Sequence, residues 1–149
     1  MYSSYVHLVD KKGSGVTGGA SVAGAWRQRD LTDEIADTGG VCTLAANQFT
    51  LDAGTYRIFA STPIFRAQHQ SRLYNVTDAS MELLGVNAWN ENAAPEAETH
   101  GFIFGRFTIA AQKTFEVQYR VSGNDADGLG EDHNWGDNIY TVVELWKET

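Results

Sequence analysis

Segment 124–138, NDADGLGEDHNWGDN, concentrates more side chains capable of chemistry than any other stretch of the chain. Clustered carboxylates are ligands for calcium, and Asp125, Asp127 and Glu131 are the candidates. The spacing of an EF-hand loop is absent, because Gly128 directly follows Asp127. Three interpretations therefore stand side by side: calcium held in an irregular geometry, contact with a ligand, and a solvated loop between two strands.

Two tryptophans are predicted in loops, among amide and acidic residues that suit a saccharide site. Sugars present apolar C–H faces that lie on aromatic rings, and their hydroxyls pair with amides, carboxylates and imidazoles. Trp89 lies within NAWNEN. A second candidate group is formed by Asp132, His133, Asn134 and Trp135. The alternative for each tryptophan is that its ring folds back to cap the core.

A basic cluster interrupts the acidic chain at FRAQHQSR, which contains Arg66, His69 and Arg72. Guanidinium groups bind carboxylates in a bidentate manner, so the cluster predicts a site for an acidic sugar. Arg106 and Arg120, on later strands, could approach it across a sheet. The alternative is ion pairing with nearby carboxylates at a subunit contact.

The motifs of the common enzyme classes are missing. The sequence has no GxSxG elbow, no HExxH or HxH spacing and no phosphate-binding glycine loop. Cys42 lacks the flanking signature of a nucleophile. Glu116 and Glu144 are predicted to point outward from separate strands, whereas a glycosidase needs two carboxylates at a set separation. The sequence therefore predicts a non-enzymatic protein.

Charge and composition argue against several partners. The formal net charge is −8 and the pI is about 4.8, so phosphate backbones would be repelled and nucleic acid is not expected. Membrane insertion is not expected either, because no apolar run approaches the roughly 18 residues that a membrane helix needs. The start, MYSSYVHLVDKK, does not resemble a secretory signal. A length of 149 residues predicts one domain, 1–149, with a flexible loop at 13–19.

Alternation of apolar and polar residues predicts eight or nine strands and an all-β sandwich or barrel. The segments 102–110 and 114–122 are separated by a short polar connection and are predicted to form a hairpin. Only 29–37 and 90–99 resemble helices, and both are short and polar. Four other predicted strands cover 5–9, 25–28, 47–51 and 138–147, and three more begin near residues 55, 71 and 80.

Several predicted strands are apolar on both faces. A sandwich sheet normally exposes one face to water, so a second apolar face indicates an interface. We therefore predict self-association, and the alternative is that loops cover this face within one subunit. The predicted interface residues are Phe59, Phe102, Phe104, Tyr140, Val142 and Trp146.

Five segments taken in order carry a family resemblance: AGAWRQRDLTD, LDAGTYRIFAS, RLYNVTD, GRFTIAAQKTFEVQYRV and the closing ELWK. From Tyr5 to Lys147 the chain resembles the C-terminal jelly-roll domain at the tips of bacteriophage tail fibres and tailspikes, a domain similar in shape to tumour-necrosis-factor-like heads. The resemblance implies an antiparallel jelly-roll β-sandwich that assembles as a homotrimer. It also implies a virion protein that contacts polysaccharide on the host cell surface.

The resemblance leaves two other functions open. One is a purely structural trimerisation cap or capsid decoration domain without a ligand. The other is a small polysaccharide-degrading enzyme. The family has no fixed catalytic set, so no catalytic residue is transferred to this chain. No cofactor is expected, and calcium is the one metal considered.

Overall fold

The computed structural model describes residues 1–90 and 97–149, which form eleven β-strands and, within those ranges, no helix that could cross a bilayer. Most of the helix-like segment 90–99 lies outside the described residues. The other helix-like segment contains a strand instead. The strands are β1 Tyr2–Lys12, β2 Arg27–Gln28, β3 Asp33–Asp37, β4 Cys42–Ala45, β5 Gln48–Leu51, β6 Gly54–Phe65, β7 His69–Asn75, β8 Ser80–Leu84, β9 Glu98–Ile109, β10 Lys113–Val121 and β11 Asn138–Glu148.

Two antiparallel sheets pack face to face. The five-stranded sheet has the order β3-β1-β11-β6-β9, and the six-stranded sheet has the order β4-β5-β10-β7-β8 with β2 paired to β10. Alternate residues of each strand point into the space between the sheets, as the sequence pattern predicts. The predicted fold class, an all-β antiparallel sandwich, is confirmed.

Aromatic and branched side chains from both sheets fill the core. Tyr56 stacks on Phe107 within the five-stranded sheet, and Phe49 stacks on Phe115 within the six-stranded sheet. Phe107 and Phe115 meet across the core with their ring centroids 5.3 Å apart. Burial of these rings and of the aliphatic side chains around them holds the two sheets together.

The predicted hairpin between 102–110 and 114–122 is wrong. β9 pairs with β6, whereas β10 pairs with β7, β5 and β2 in the other sheet. The connection between β9 and β10 therefore crosses from one sheet to the other. A hairpin and a crossover bury the same alternating residues, so the local pattern cannot distinguish them.

A β-bulge shifts the alternation of β11. Val142 lies opposite Val9, but Ile139 lies opposite Lys11, so two residues of β11 face Asp10 alone. As a result Tyr140 is only 4% exposed, and its hydroxyl donates a 2.7 Å hydrogen bond to the Val16 carbonyl. The prediction that Tyr140 lies at a subunit interface is wrong.

The loop 13–19 was expected to be flexible, but the structure shows it tied to the loop before β11. Backbone N–H groups of Gly15 and Gly18 donate to the carbonyls of His133 and Gly130 at 3.2 and 2.9 Å. A Cβ atom on Gly18 would lie 2.4 Å from the Leu129 carbonyl oxygen, so only glycine permits this approach. The two loops together close one end of the sandwich.

Arg29 anchors this end from inside. The side chain is fully buried, and its Nε donates to the Thr141 hydroxyl at 2.9 Å. Its other two nitrogens donate to the carbonyls of Pro63 and Leu129, each at 2.9 Å. Burial lowers the pKa of the guanidinium to about 10, although the Asp10 carboxylate opposes this shift. One side chain therefore joins β6, β11 and the 124–138 loop.

Candidate functional site

The outer face of the five-stranded sheet carries a group of aromatic residues, two of them exposed and four half-buried. We call it the aromatic face, and it consists of Tyr2, Tyr5, Phe59, Phe102, Phe104 and Trp146. The register places Phe59 directly opposite Phe104, and their ring centroids are 5.4 Å apart. Phe104 is 55% exposed. A surface of this composition is typical of a protein interface.

Charged groups beside the aromatic face are bound by neighbouring side chains. Arg106 donates to Glu148 at 2.8 Å, and Arg57 approaches the same carboxylate at 3.3 Å. The hydrogen bond from Arg106 holds the pKa of Glu148 below its usual range. The Tyr5 hydroxyl donates to Glu144 at 2.5 Å, and burial and this carboxylate together raise the Tyr5 pKa to about 12. The ion pairs at Glu148 lower the cost of covering that part of the surface, because paired charges are less costly to bury than single ones.

The structure places five of the six predicted interface residues on this side of the sheet: Phe59, Phe102, Phe104, Val142 and Trp146. The sequence prediction missed Tyr2 and Tyr5, whose rings lie 6.5 and 5.6 Å from that of Trp146. The signal was present in YVHLV, where Tyr5 alternates with the buried Val6 and Leu8. Pairing of β1 with β11 could not be read from the sequence.

The predicted basic cluster does not form. Arg66 lies at the turn after β6, 3.5 Å from the Asp125 carboxylate. His69 points into the sandwich and is 5% exposed. Arg72 lies on the outer face of the six-stranded sheet, where its guanidinium carbon is 4.4 Å from the Trp26 ring centroid and 4.8 Å from that of Tyr74. Side chains alternate between faces along β7, so His69 and Arg72, three positions apart, lie on opposite faces of the sheet.

His69 predicts a specific pH dependence of stability. Burial, with the nearby charges of Arg29 and His100, lowers its pKa from 6.5 to about 4. The unfolded chain therefore takes up this proton first, and the free energy of unfolding should fall between pH 6.5 and pH 4, by about 2–3 kcal/mol in total. Urea unfolding at several pH values in this window would measure the fall.

His69→Gln removes the titrating group, so the variant should lose less stability than the wild type over the same window. The matched control is His133→Gln, because His133 is exposed and stacks on Trp135 instead of facing the core. A parallel pH profile for wild type and His69→Gln would contradict the assignment.

Trp89 lies in a groove at the end of the six-stranded sheet. The groove has a volume of about 470 Å³, and Trp89 is 60% exposed. An antiparallel bridge between His69 and Ala88 holds this segment against β7. The lining residues are Gln68, His69, Gln70, Asn87, Ala88, Trp89, Arg120, Val121 and Ser122. The sequence prediction therefore identified Trp89 but did not place Arg120 beside it.

The other tryptophan loop lies elsewhere. Trp135 is 90% exposed, and the His133 ring stacks on it at a centroid distance of 4.8 Å. Asn138 fixes the loop, because its side chain accepts from the His133 N–H and donates to the His133 carbonyl. Asp132, His133, Asn134 and Trp135 do not line the groove around Trp89. The predicted saccharide residues thus belong to two separate surfaces.

Of the carboxylates proposed for calcium, that of Asp125 contacts other protein groups. Asp125 pairs with Arg66, and its other oxygen accepts the backbone N–H of Asp127 at 2.9 Å. The Glu131 N–H donates to the Glu98 carboxylate at 3.0 Å. Within residues 1–90 and 97–149, no group of three or more His, Cys, Asp or Glu side chains is arranged to hold a metal ion.

Comparison with known proteins finds the fold but no close relative. No protein-family model matches the chain, and no curated protein matches it. Among solved structures, murine APRIL is similar with a TM-score of 0.63 and 10% identity, covering 97% of this chain and 98% of that one. The globular domain of zebrafish complement 1qA protein gives 0.61 and 10%, covering 99% and 98%. The PRD1 vertex protein P5 gives 0.51 and 16%, covering 100% and 99%.

These similarities span nearly the whole of each chain, so the whole fold is similar and not only a part of it. The chain has a tumour-necrosis-factor-like and C1q-like jelly-roll fold. Identities of 10–16% show the fold alone. They do not assign a function to this chain.

Proposed function

We propose that this chain is a non-enzymatic, homotrimeric domain of a phage tail fibre or tailspike that binds polysaccharide on the host cell surface. The aromatic face is the single observation that carries the proposal. In a lone copy, Phe104 and its neighbours expose rings to water on a face that a jelly-roll monomer would cover with polar residues. A copy of the same chain, related by rotational symmetry, would bury them.

Shared architecture supports the placement in a virion. The chain resembles the fibre-tip jelly rolls in five ordered segments, and its fold is also that of a phage vertex protein. Three copies would present three identical ligand sites on one rigid head. Linked weak sites can exceed the affinity of a single site by a factor of about 10²–10⁴. An exposed tryptophan such as Trp89 or Trp135 would stack on a sugar ring in each copy.

Light scattering on the purified chain tests the assembly. The expected mass is three times that of the 16.3 kDa chain, and it should persist on dilution to micromolar concentration. A stable monomer would remove the main support for the proposal. A mass of two copies would retain self-association but contradict the trimer.

A panel of host cell-surface polysaccharides tests the ligand. Binding should be detected for the wild type and weakened in the double variant Trp89→Ala, Trp135→Ala, because both exposed stacking rings are lost. Incubation with the bound polysaccharide should release no fragments, since the domain is proposed to be non-enzymatic. Release of fragments would favour the polysaccharide-degrading enzyme.

The similarity to a vertex protein favours one other function, a trimerisation cap or capsid decoration domain. This domain would assemble through the same aromatic face but bind no saccharide. A trimer that gives no signal on any host polysaccharide would support it over the leading proposal.

A further inference from the structure

We propose that the outer face of the six-stranded sheet is a binding track for an oligosaccharide that carries carboxylate groups. In this track Arg120 and Arg72 each receive a carboxylate, and Trp89 stacks on a sugar ring. The inference rests on the saccharide-binding role proposed above, and it specifies both the site and the chemical class of the ligand.

The register of β7 and β10 brings the two arginines together. Arg120 lies opposite Gln70, and Arg72 lies opposite Gln118. All four side chains point outward, because the intervening residues, such as Leu73 and Val121, point into the core. Diagonal neighbours of this kind have Cβ atoms about 7 Å apart. Two guanidinium groups therefore follow one another along the same face.

Arg72 is held in a fixed orientation. Its guanidinium lies against the rings of Trp26 and Tyr74, at 4.4 and 4.8 Å from their centroids. Its Nε donates to the Gln118 side-chain carbonyl at 2.7 Å. A planar guanidinium whose orientation is already set loses little conformational entropy when it binds a planar carboxylate.

A carboxylate close to Arg72 on this face, that of Glu116, accepts hydrogen bonds from amides. Glu116 accepts hydrogen bonds from the side chains of Gln28, Gln48 and Gln118, at 2.7, 2.9 and 2.5 Å. Within the described part of the chain, neither Arg72 nor Arg120 forms an ion pair. The face therefore presents two guanidinium groups that form no ion pair among the described residues, with the charge of Glu116 close to Arg72, on a chain whose net charge is −8.

The groove around Trp89 extends this track beyond Arg120. Its volume of about 470 Å³ is lined by Arg120, Trp89 and the exposed amides of Gln68 and Asn87. Amides both donate to and accept from hydroxyl groups, and an indole ring covers an apolar sugar face. Alternating hydroxyls, apolar faces and carboxylates are the chemistry of an acidic oligosaccharide.

Calorimetric titration with three probes tests the track. The probes are a galacturonic acid oligomer, the neutral maltoheptaose and dextran sulfate. We expect the galacturonic acid oligomer to bind most tightly, and its affinity to decrease with added salt. Arg120→Gln and Arg72→Gln should each weaken it about tenfold or more, because each removes a charge-assisted contact.

Arg27→Gln is the matched control. Arg27 lies in β2 next to the track, but its Nε donates to the Val22 carbonyl at 3.1 Å. This variant removes the same charge and should leave the affinity unchanged within twofold. If Arg72→Gln fails to fold, Arg72→Lys replaces it as the test variant. Lysine keeps the charge but loses the bidentate geometry, so Arg72→Lys should also weaken binding.

Each alternative result has a distinct meaning. Unchanged binding by both arginine variants, with a signal on host polysaccharide retained, would overturn the track and leave the proposed function standing. Absence of binding to every saccharide, host polysaccharide included, would overturn both. Tighter binding of dextran sulfate than of the galacturonic acid oligomer would overturn the assignment to carboxylates. Binding of a host protein alone would overturn the saccharide as the ligand.

Discussion

Replacing Phe104 with glutamate is expected to convert the proposed trimer into monomers. Phe104 lies among Phe59 and Phe102 with ring centroids 5.4 and 5.8 Å away, and in a single copy 55% of the residue is exposed. In the assembly each copy would bury this ring. A buried carboxylate without a partner costs several kcal/mol, and the cost would be repeated in every copy. The measurement is molar mass by light scattering over a range of protein concentrations.

The single-copy fold should tolerate Phe104→Glu, because the side chain points away from the core. Far-ultraviolet circular dichroism should therefore match that of the wild type. Met81→Glu is the control, since Met81 is exposed to a similar degree, 49%, but lies on β8 in the other sheet. It should leave the mass unchanged. A trimeric Phe104→Glu variant would show that the copies meet through a different surface.

The aromatic face shows what the alternation of apolar and polar residues in the sequence can predict. Apolar residues on both faces of 102–109 predicted an uncovered surface, and Phe102 and Phe104 lie there. The same reasoning failed at Tyr140, because it assumed that alternation continues without interruption. A bulge opposite Asp10 shifts the pattern by one residue, and bulges leave no signal in hydrophobic periodicity.

The sequence predicted less of the candidate binding surfaces than of the aromatic face. Residues such as Trp89 and Trp135 could be selected by type and by their polar neighbours. Arg66, His69 and Arg72 were grouped by proximity in sequence, whereas the strand places His69 and Arg72 on opposite faces. Arg120 approaches Arg72 through the pairing of β7 with β10, as predicted, whereas Arg106 lies on β9 in the other sheet. Pairings of this kind depend on the whole topology.

Arg29 also escaped the sequence analysis, since an arginine in a short polar segment is normally exposed. We expect Arg29→Met to lower the free energy of unfolding by about 3 kcal/mol or more. Methionine fills similar space, but it leaves the carbonyls of Pro63 and Leu129 and the hydroxyl of Thr141 without their donor. Each buried group left unsatisfied costs about 1–3 kcal/mol.

One opposing effect reduces this loss without reversing it. Burying the guanidinium is itself costly, as the lowering of its pKa to about 10 shows, and methionine removes that cost. The cost of leaving three buried acceptors in different elements without a donor is larger than this gain. No single water could reach all three acceptors. Arg29→Lys should be intermediate, since one ammonium group cannot satisfy acceptors that a planar guanidinium reaches from three nitrogens.

Urea unfolding at one fixed protein concentration would measure these differences, since the stability of an oligomer depends on concentration. Arg27→Met is the control, because Arg27 is exposed and lies two positions from Arg29; it should change the unfolding free energy by less than about 1 kcal/mol. Equal midpoints for Arg29→Met and Arg27→Met would show that the end of the sandwich holds without the buried guanidinium. A larger loss for Arg29→Met would instead show that the buried guanidinium, through its contacts with Thr141, Pro63 and Leu129, stabilises this end of the sandwich.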